Sequence, residues 1–206
     1  MERELKCVLL FLLLASSIYA QKTLTKTWNP QSINSVVIDA PWAHSIVLIG
    51  AAKRNTIEAT HHSEGEYQNG VSVAFQENEN QLILEEILTP AFNNPQDKLS
   101  AHKHIASTLT LYLPYALRAK VFAKEALLTV KGQLKQIDIQ MQSGSITLFK
   151  GIESGHIKTH SAHVVVKDSL LSVSAKTRLG KLEIREHKNK EPTFFIETLK
   201  GNIKQY

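Results

Sequence analysis

The chain is poor in thiols. Its one cysteine, Cys7, lies within the first fifteen of 206 residues. Beyond that point it can form no disulfide, bind no metal through thiolate and use no cysteine nucleophile. A core and hydrogen-bond ladders must hold it together. Aromatics make up 7% and are not interleaved with the basic residues, which excludes the stacking groove of a single-strand nucleic-acid binder. Charge of one sign is not concentrated either. The net charge of +5 is spread thinly. Its mild clusters, Lys176/Arg178/Lys181 and Arg185/Lys188/Lys190, are interrupted by Glu183, Glu186 and Glu191, which describes a solvated face. No apolar run approaches the ~20 residues of a membrane span. No stretch past residue 20 combines a sustained helical period with caps, and no Gly-x-Ser-x-Gly elbow occurs.

What is present begins with an export signal. Met1 to Lys6 is charged, Cys7 to Ala15 is an apolar run of nine, and Ser16 to Ala20 supplies small residues before Gln21. This pattern predicts a secretory signal peptide over 1–20, cleaved after Ala20. Cys7 sits inside the run rather than at the cleavage point, so lipid attachment is not expected. The mature chain is expected in the periplasm or outside the cell, with no membrane span.

The mature chain has a period of two. Val36 to Ile38, Ser45 to Ile49 and Thr56 to Thr60 read as strands, and His61 to Glu66 reads as a loop by composition. Val71, Val73 and Phe75 alternate with polar residues. A turn at Glu77 to Gln81 and a return strand from Leu82 make this the clearest hairpin. Leu109, Leu111 and Leu113 form another strand, closed by Pro114. Tyr115 to Leu128 contains good helix formers, offset by Pro114, Val121 and Val130, and leaves helix and strand evenly matched.

From Leu127 a short phrase recurs: a glycine, one residue, then an aliphatic. It appears at Gly132-Gln133-Leu134, Gly144-Ser145-Ile146, Gly155-His156-Ile157, Gly180-Lys181-Leu182 and Gly201-Asn202-Ile203. The glycines are 12, 11, 25 and 21 residues apart, near multiples of about twelve. The phrase predicts strands stacked in rungs, with the glycines as structural turns and the aliphatics of successive rungs in one column. The fold class expected is all-β: a β-solenoid, single-stranded and β-helix- or β-roll-like, over 127–206, continuous with an N-terminal antiparallel meander over 21–126. A plain antiparallel sandwich with regular glycine turns would carry a similar signature.

With Ser45-Ile46-Val47-Leu48-Ile49-Gly50, the two phrases at Ser143-Gly144-Ser145-Ile146 and Ser154-Gly155-His156-Ile157 resemble the bacterial putative-adhesin family, a β-solenoid domain of unknown function. The stretch from Asp97 to Lys103 resembles its Bacteroidetes-type exported members. The resemblance spans roughly Val36 to Tyr206 and implies a β-solenoid with no established catalytic residues.

Candidate chemistry is sparse. His156, His160 and His163 fall in one rung, His102 and His104 stand at i, i+2 beside Asp97, and histidines sharing a strand face, as His156 and His160 would but His163 would not, can bind zinc or copper. Without thiolates, and with few carboxylates nearby, solvated histidines are the better reading, and no cofactor is expected. Asp138, Glu153, Asp168 and Glu183, with Arg178 and Arg185, would serve a β-helix enzyme acting on acidic polysaccharide only if two carboxylates converged. Trp28 and Trp42 read as plugs for an open end of the fold. The function expected is a non-enzymatic, exported module with a binding, adhesion-like or envelope-structural role. Its partner would be a cell-surface glycan or envelope protein and not nucleic acid. The rival readings are the polysaccharide enzyme and a periplasmic sensing module.

Overall fold

A computed structural model describes residues 21–64, 70–90, 106–185 and 190–206. The predicted signal peptide with its cleavage at Ala20, and the stretch holding His102 and His104, lie outside the described residues. No helix occurs among the described residues, and fifteen strands form one mixed sheet with open edges.

The strands are β1 (Gln21–Trp28), β2 (Ser35–Ala40), β3 (Ala43–Ala51), β4 (Ile57–Glu64), β5 (Val71–Asn78), β6 (Gln81–Leu88), β7 (Ala106–Pro114) and β8 (Arg118–Gly132). They continue with β9 (Leu134–Leu148), β10 (Ile152–Thr159), β11 (His163–Val166), β12 (Val173–Thr177), β13 (Leu182–Glu183), β14 (Phe194–Thr198) and β15 (Ile203–Gln205). Two of these are twice the usual length, and each serves two neighbours. The first part of β8, from Arg118, pairs with β2, and its second part, to Gly132, pairs with β3. The first part of β9 pairs with β10 and its second part with β11. Two series of strands therefore meet through β8 and β9. One runs β5–β6–β2–β8–β9–β10–β14–β12, the other β1–β4–β7–β3–β8–β9–β11–β15–β13.

The pleat explains why both series share one core. Successive side chains point to opposite faces, and the burial pattern alternates accordingly, as in Ile137, Ile139 and Met141 of β9. Val36, Ile38, Val121, Ile139, Ile157 and Ile196 from the first series join Ile46, Leu48, Leu128, Ile146, Val164 and Ile203 from the second in a single hydrophobic cluster. Each such buried side chain contributes about 1.5–3 kcal/mol. The opposite face of these parallel strands is polar, an arrangement more familiar from antiparallel sheets.

The register corrects the spacing read from the glycines. Val121 pairs with Ile139 and Ile139 with Ile157, steps of eighteen residues. Leu128, Ile146 and Val164 repeat the same step in the other series. Ile146 and Ile157 therefore do not share a column, because the phrases at Gly144 and Gly155 lie in strand segments of different series. Leu182 pairs with Ile203 and is 44% exposed, outside the core. Chain order also fails near the end: β14 and β15 lie between β10/β11 and β12/β13.

Other expectations change as well. The N-terminal part is not an antiparallel meander throughout, since β2–β6, β2–β8 and β3–β7 are parallel. Residues 126 and 127 both lie inside β8, in keeping with the expected continuity of the two parts. Tyr115 to Leu128 forms a turn and strand, because Leu117, Ala119, Val121, Ala126 and Leu128 find buried places. The hairpin holds: Asn78 pairs with Gln81 across Glu79-Asn80, and Glu79 takes the left-handed backbone (φ 49°). Its two-residue loop suits strands with right-handed twist.

Candidate functional site

The three histidines of the repeat region do not converge. His156 is exposed on β10, with Nδ1 3.1 Å from Asp138 Oδ1 and its ring stacked on Phe195, centroids 5.2 Å apart. His160 follows β10 and lies beside a shallow depression with Gln140, Lys158 and Leu199. His163 opens β11, and its Nδ1 accepts the Asn202 amide proton at 3.1 Å. Among the described residues no group of three histidine, cysteine or carboxylate side chains is placed to hold a metal.

The carboxylates are separated in the same way. Asp138 meets His156, Glu153 accepts from the Tyr115 hydroxyl, Asp168 is buried and accepts from Leu170 N, and Glu183 lies 3.3 Å from Lys204 Nζ. Of the predicted structural turns, Gly132 ends β8 with φ 81°, and Gly180 and Gly201 lie between strands. Gly144 and Gly155 are inside strands. At Gly155 a Cβ would lie 2.0 Å from the Ile137 carbonyl oxygen, so this glycine allows close approach and is not a turn. Trp28 is buried against Phe75, and Trp42 is half-buried.

Sequence reasoning missed a buried polar cluster. Residues 61–64 continue β4, which places His61 and Ser63 inward with Ile57 and Ala59. Glu86 takes the next inward position on β6 after Leu82 and Leu84. Its Oε1 accepts from Ser107 Oγ at 2.5 Å, and its Oε2 accepts from the Trp42 amide at 2.9 Å. His61 Nε2 is 3.4 Å from Oε1 and lacks a hydrogen bond. The period-two pattern through Ile57, Ala59, His61 and Ser63 carried the signal, but composition suggested a loop. Serine and histidine both face one carboxylate oxygen, and the histidine does not stand between hydroxyl and acid. The cluster thus lacks the relay that nucleophilic catalysis needs.

The open recesses lie where consecutive strands connect. A cleft of about 530 Å³ is lined by Pro30, Ile33, Asn34, Leu117, Arg118 and Lys135. A neighbour of about 680 Å³ is lined by Asn29, Arg54, Asn55, Tyr115 and others, and the two share Pro30, Pro114 and Ala116. Ile33, Pro114 and Leu117 are buried and form an apolar floor. Arg54 is committed: it pairs with Glu58, donates to Thr56 O and lies over the Tyr112 ring. Arg118 and Lys135 are exposed, and their side-chain charges have no ion-pair partner among the described residues. The Tyr115 hydroxyl donates to Glu153, which raises its pKa above the ordinary phenol value; burial and the Glu153 charge add smaller contributions. The paired clefts therefore offer two free cations, a protonated phenol and side-chain amides over an apolar floor.

No family model and no curated protein matches the chain. Among solved structures, the chain is similar to a putative cell adhesion protein from Clostridium sporogenes, at 14% identity and TM-score 0.60, covering 90% of this chain and 100% of that one. A putative adhesin from Bacteroides fragilis matches at 11% identity and TM-score 0.26, over 90% of this chain and 97% of that one. One from Parabacteroides distasonis matches at 13% and 0.28, with the same coverage. The first of these likenesses supports the fold. The fold of this chain is thus similar to that of a protein named a putative cell adhesion protein.

Proposed function

We propose that the protein is an exported, adhesion-like binding module, a β-solenoid of eighteen-residue coils without catalysis of its own. We propose further that it binds acidic saccharide through the paired clefts. The eighteen-residue register supports the coil: each coil gives one strand to each series, and the core lies between them. The whole-chain likeness to a protein named for cell adhesion supports the role.

One observation carries the ligand class. Arg118 and Lys135 stand unpaired beside an apolar floor that includes two prolines. A sugar ring stacks its C–H face on such a floor, and its carboxylate finds charge-assisted donors, which are about twice as strong as neutral ones. Neutral glycans would use only the floor and the amides.

The test is calorimetry on the secreted protein with oligogalacturonate and, for comparison, a neutral maltooligosaccharide. Oligogalacturonate should bind, and Arg118→Glu with Lys135→Glu should weaken it at least tenfold, with the thermal midpoint unchanged. Equal binding of the neutral sugar, or no loss in the double variant, would refute the acidic-ligand reading.

A further inference from the structure

The two ends of the first strand series carry opposite charge. At one end, among the described residues, β5 pairs only with β6, and no described strand covers its other edge. The hairpin they form carries Glu77, Glu79, Glu85 and the buried Glu86, and residues 70–90 contain no lysine or arginine. Glu77, Glu79 and Glu85 are exposed and have no ion-pair partner among the described residues; a single lysine from β1, Lys26, lies over the Phe75 ring of β5. At the other end, among the described residues, β12 pairs along its length only with β14. Around it stand Lys176, Arg178, Lys181, Arg185, Lys190 and Lys200, all exposed, against three exposed acids: Glu183, which is paired with Lys204, Glu191, and Glu197, which lies across from Lys176 on β14.

Both ends also expose large apolar side chains. Leu170 and Leu179 are 73% and 67% exposed beside β12, and Ile87 and Leu88 are exposed at the end of the hairpin. A bare edge with exposed leucines is a liability that proteins normally cover or block. Lysine is the usual blocking residue, because like edges then repel. Here only one of the two edges is basic, so the cations oppose β12 meeting β12 and favour its meeting β5.

We propose that copies of this chain stack end to end, the β5 edge of one pairing with the β12 edge of the next. Strand direction permits it. From β6 to β12 every strand in the series runs parallel, and β5 alone runs opposite. A translated copy therefore brings its β5 antiparallel to β12, continuing the sheet. The contact joins different surfaces, so it does not close on itself and generates a linear array. A multivalent array would multiply weak cleft affinities, although the assembly itself needs no ligand.

The experiment is sedimentation of the full secreted protein, without glycan, across concentration and salt. The expected result is a weight-average mass that rises with concentration at low salt and falls back toward one chain near 1 M, where charges are screened within ~3 Å. Lys176→Glu with Arg178→Glu should give a monomer, because the β12 end then loses its excess of positive charge. Glu77→Lys with Glu79→Lys should also give a monomer, because both ends are basic. Mixing the two variants should restore assembly, since each then meets an opposite edge. Circular dichroism and thermal midpoints matching the parent would show that both variants fold. A parent that stays monomeric at every concentration overturns the proposal. So do swaps that leave its assembly unchanged, or a mixture that stays monomeric.

Discussion

At the scale of single residues, the consequential groups are those that the backbone leaves no room to change. Gly144 sits within β9 with φ 110°, and a Cβ there would lie 2.2 Å from the Ala126 carbonyl oxygen. Gly144→Ala should therefore cost at least about 2 kcal/mol, from left-handed strain alone. Chemical denaturation will measure it, and an unchanged midpoint would show that β9 relaxes at this point. Glu86 is the hub of the buried cluster. Glu86→Ala removes the acceptor for both the Ser107 hydroxyl and the Trp42 amide. One buried and one half-buried donor left bare should cost about 2 kcal/mol or more. Tyr115 gives a pH signature. Its hydrogen bond to Glu153 favours the protonated phenol, so its folded pKa lies above the ordinary value near 10. That bond is retained below the unfolded pKa and lost as pH rises through the higher folded one. Ultraviolet titration of the parent minus Tyr115→Phe should show this late phenol. Glu153→Gln should bring it back toward the ordinary value.

At the scale of elements, alternation was legible wherever apolar residues occupied every second position. The β5–β6 hairpin and β7 follow from that pattern. Composition misled where an inward position held a polar residue. His61 and Ser63 extend β4 because Glu86 and Ser107 receive that row of side chains, and nothing local to residues 61–66 reveals those neighbours. The glycine phrases likewise fell on real strands but implied the wrong partners, and those at Gly144 and Gly155 lie inside their strands. A local motif cannot tell whether the next strand lies beside it or in the other series. The eighteen-residue register yields its own prediction. Ile139 pairs with Val121 and Ile157 and is 1% exposed, so Ile139→Ala should cost about 2–5 kcal/mol. Its exposed neighbour Gln140→Ala should stay within about 0.5 kcal/mol. If the two substitutions cost the same, the inward column is misplaced.

At the scale of the whole molecule, β8 and β9 tie the two series into one sheet, and one core runs through both. Thermal unfolding of the parent should therefore be a single transition. A chain ended at residue 126 should not fold, because it cuts β8 between the part paired with β2 and the part paired with β3. Two separate transitions, or a folded fragment, would show two independent units. The sequence by itself determined that this chain is built of strands and relies on no disulfide. Period-two alternation and the absence of thiols are local properties that can be read without knowing neighbours. Only the tertiary structure decided which strands pair, which histidine is buried, and that the last strands insert between β10/β11 and β12/β13. Those outcomes depend on contacts between residues far apart in sequence, where backbone hydrogen bonds are alike for every side chain and carry no local label.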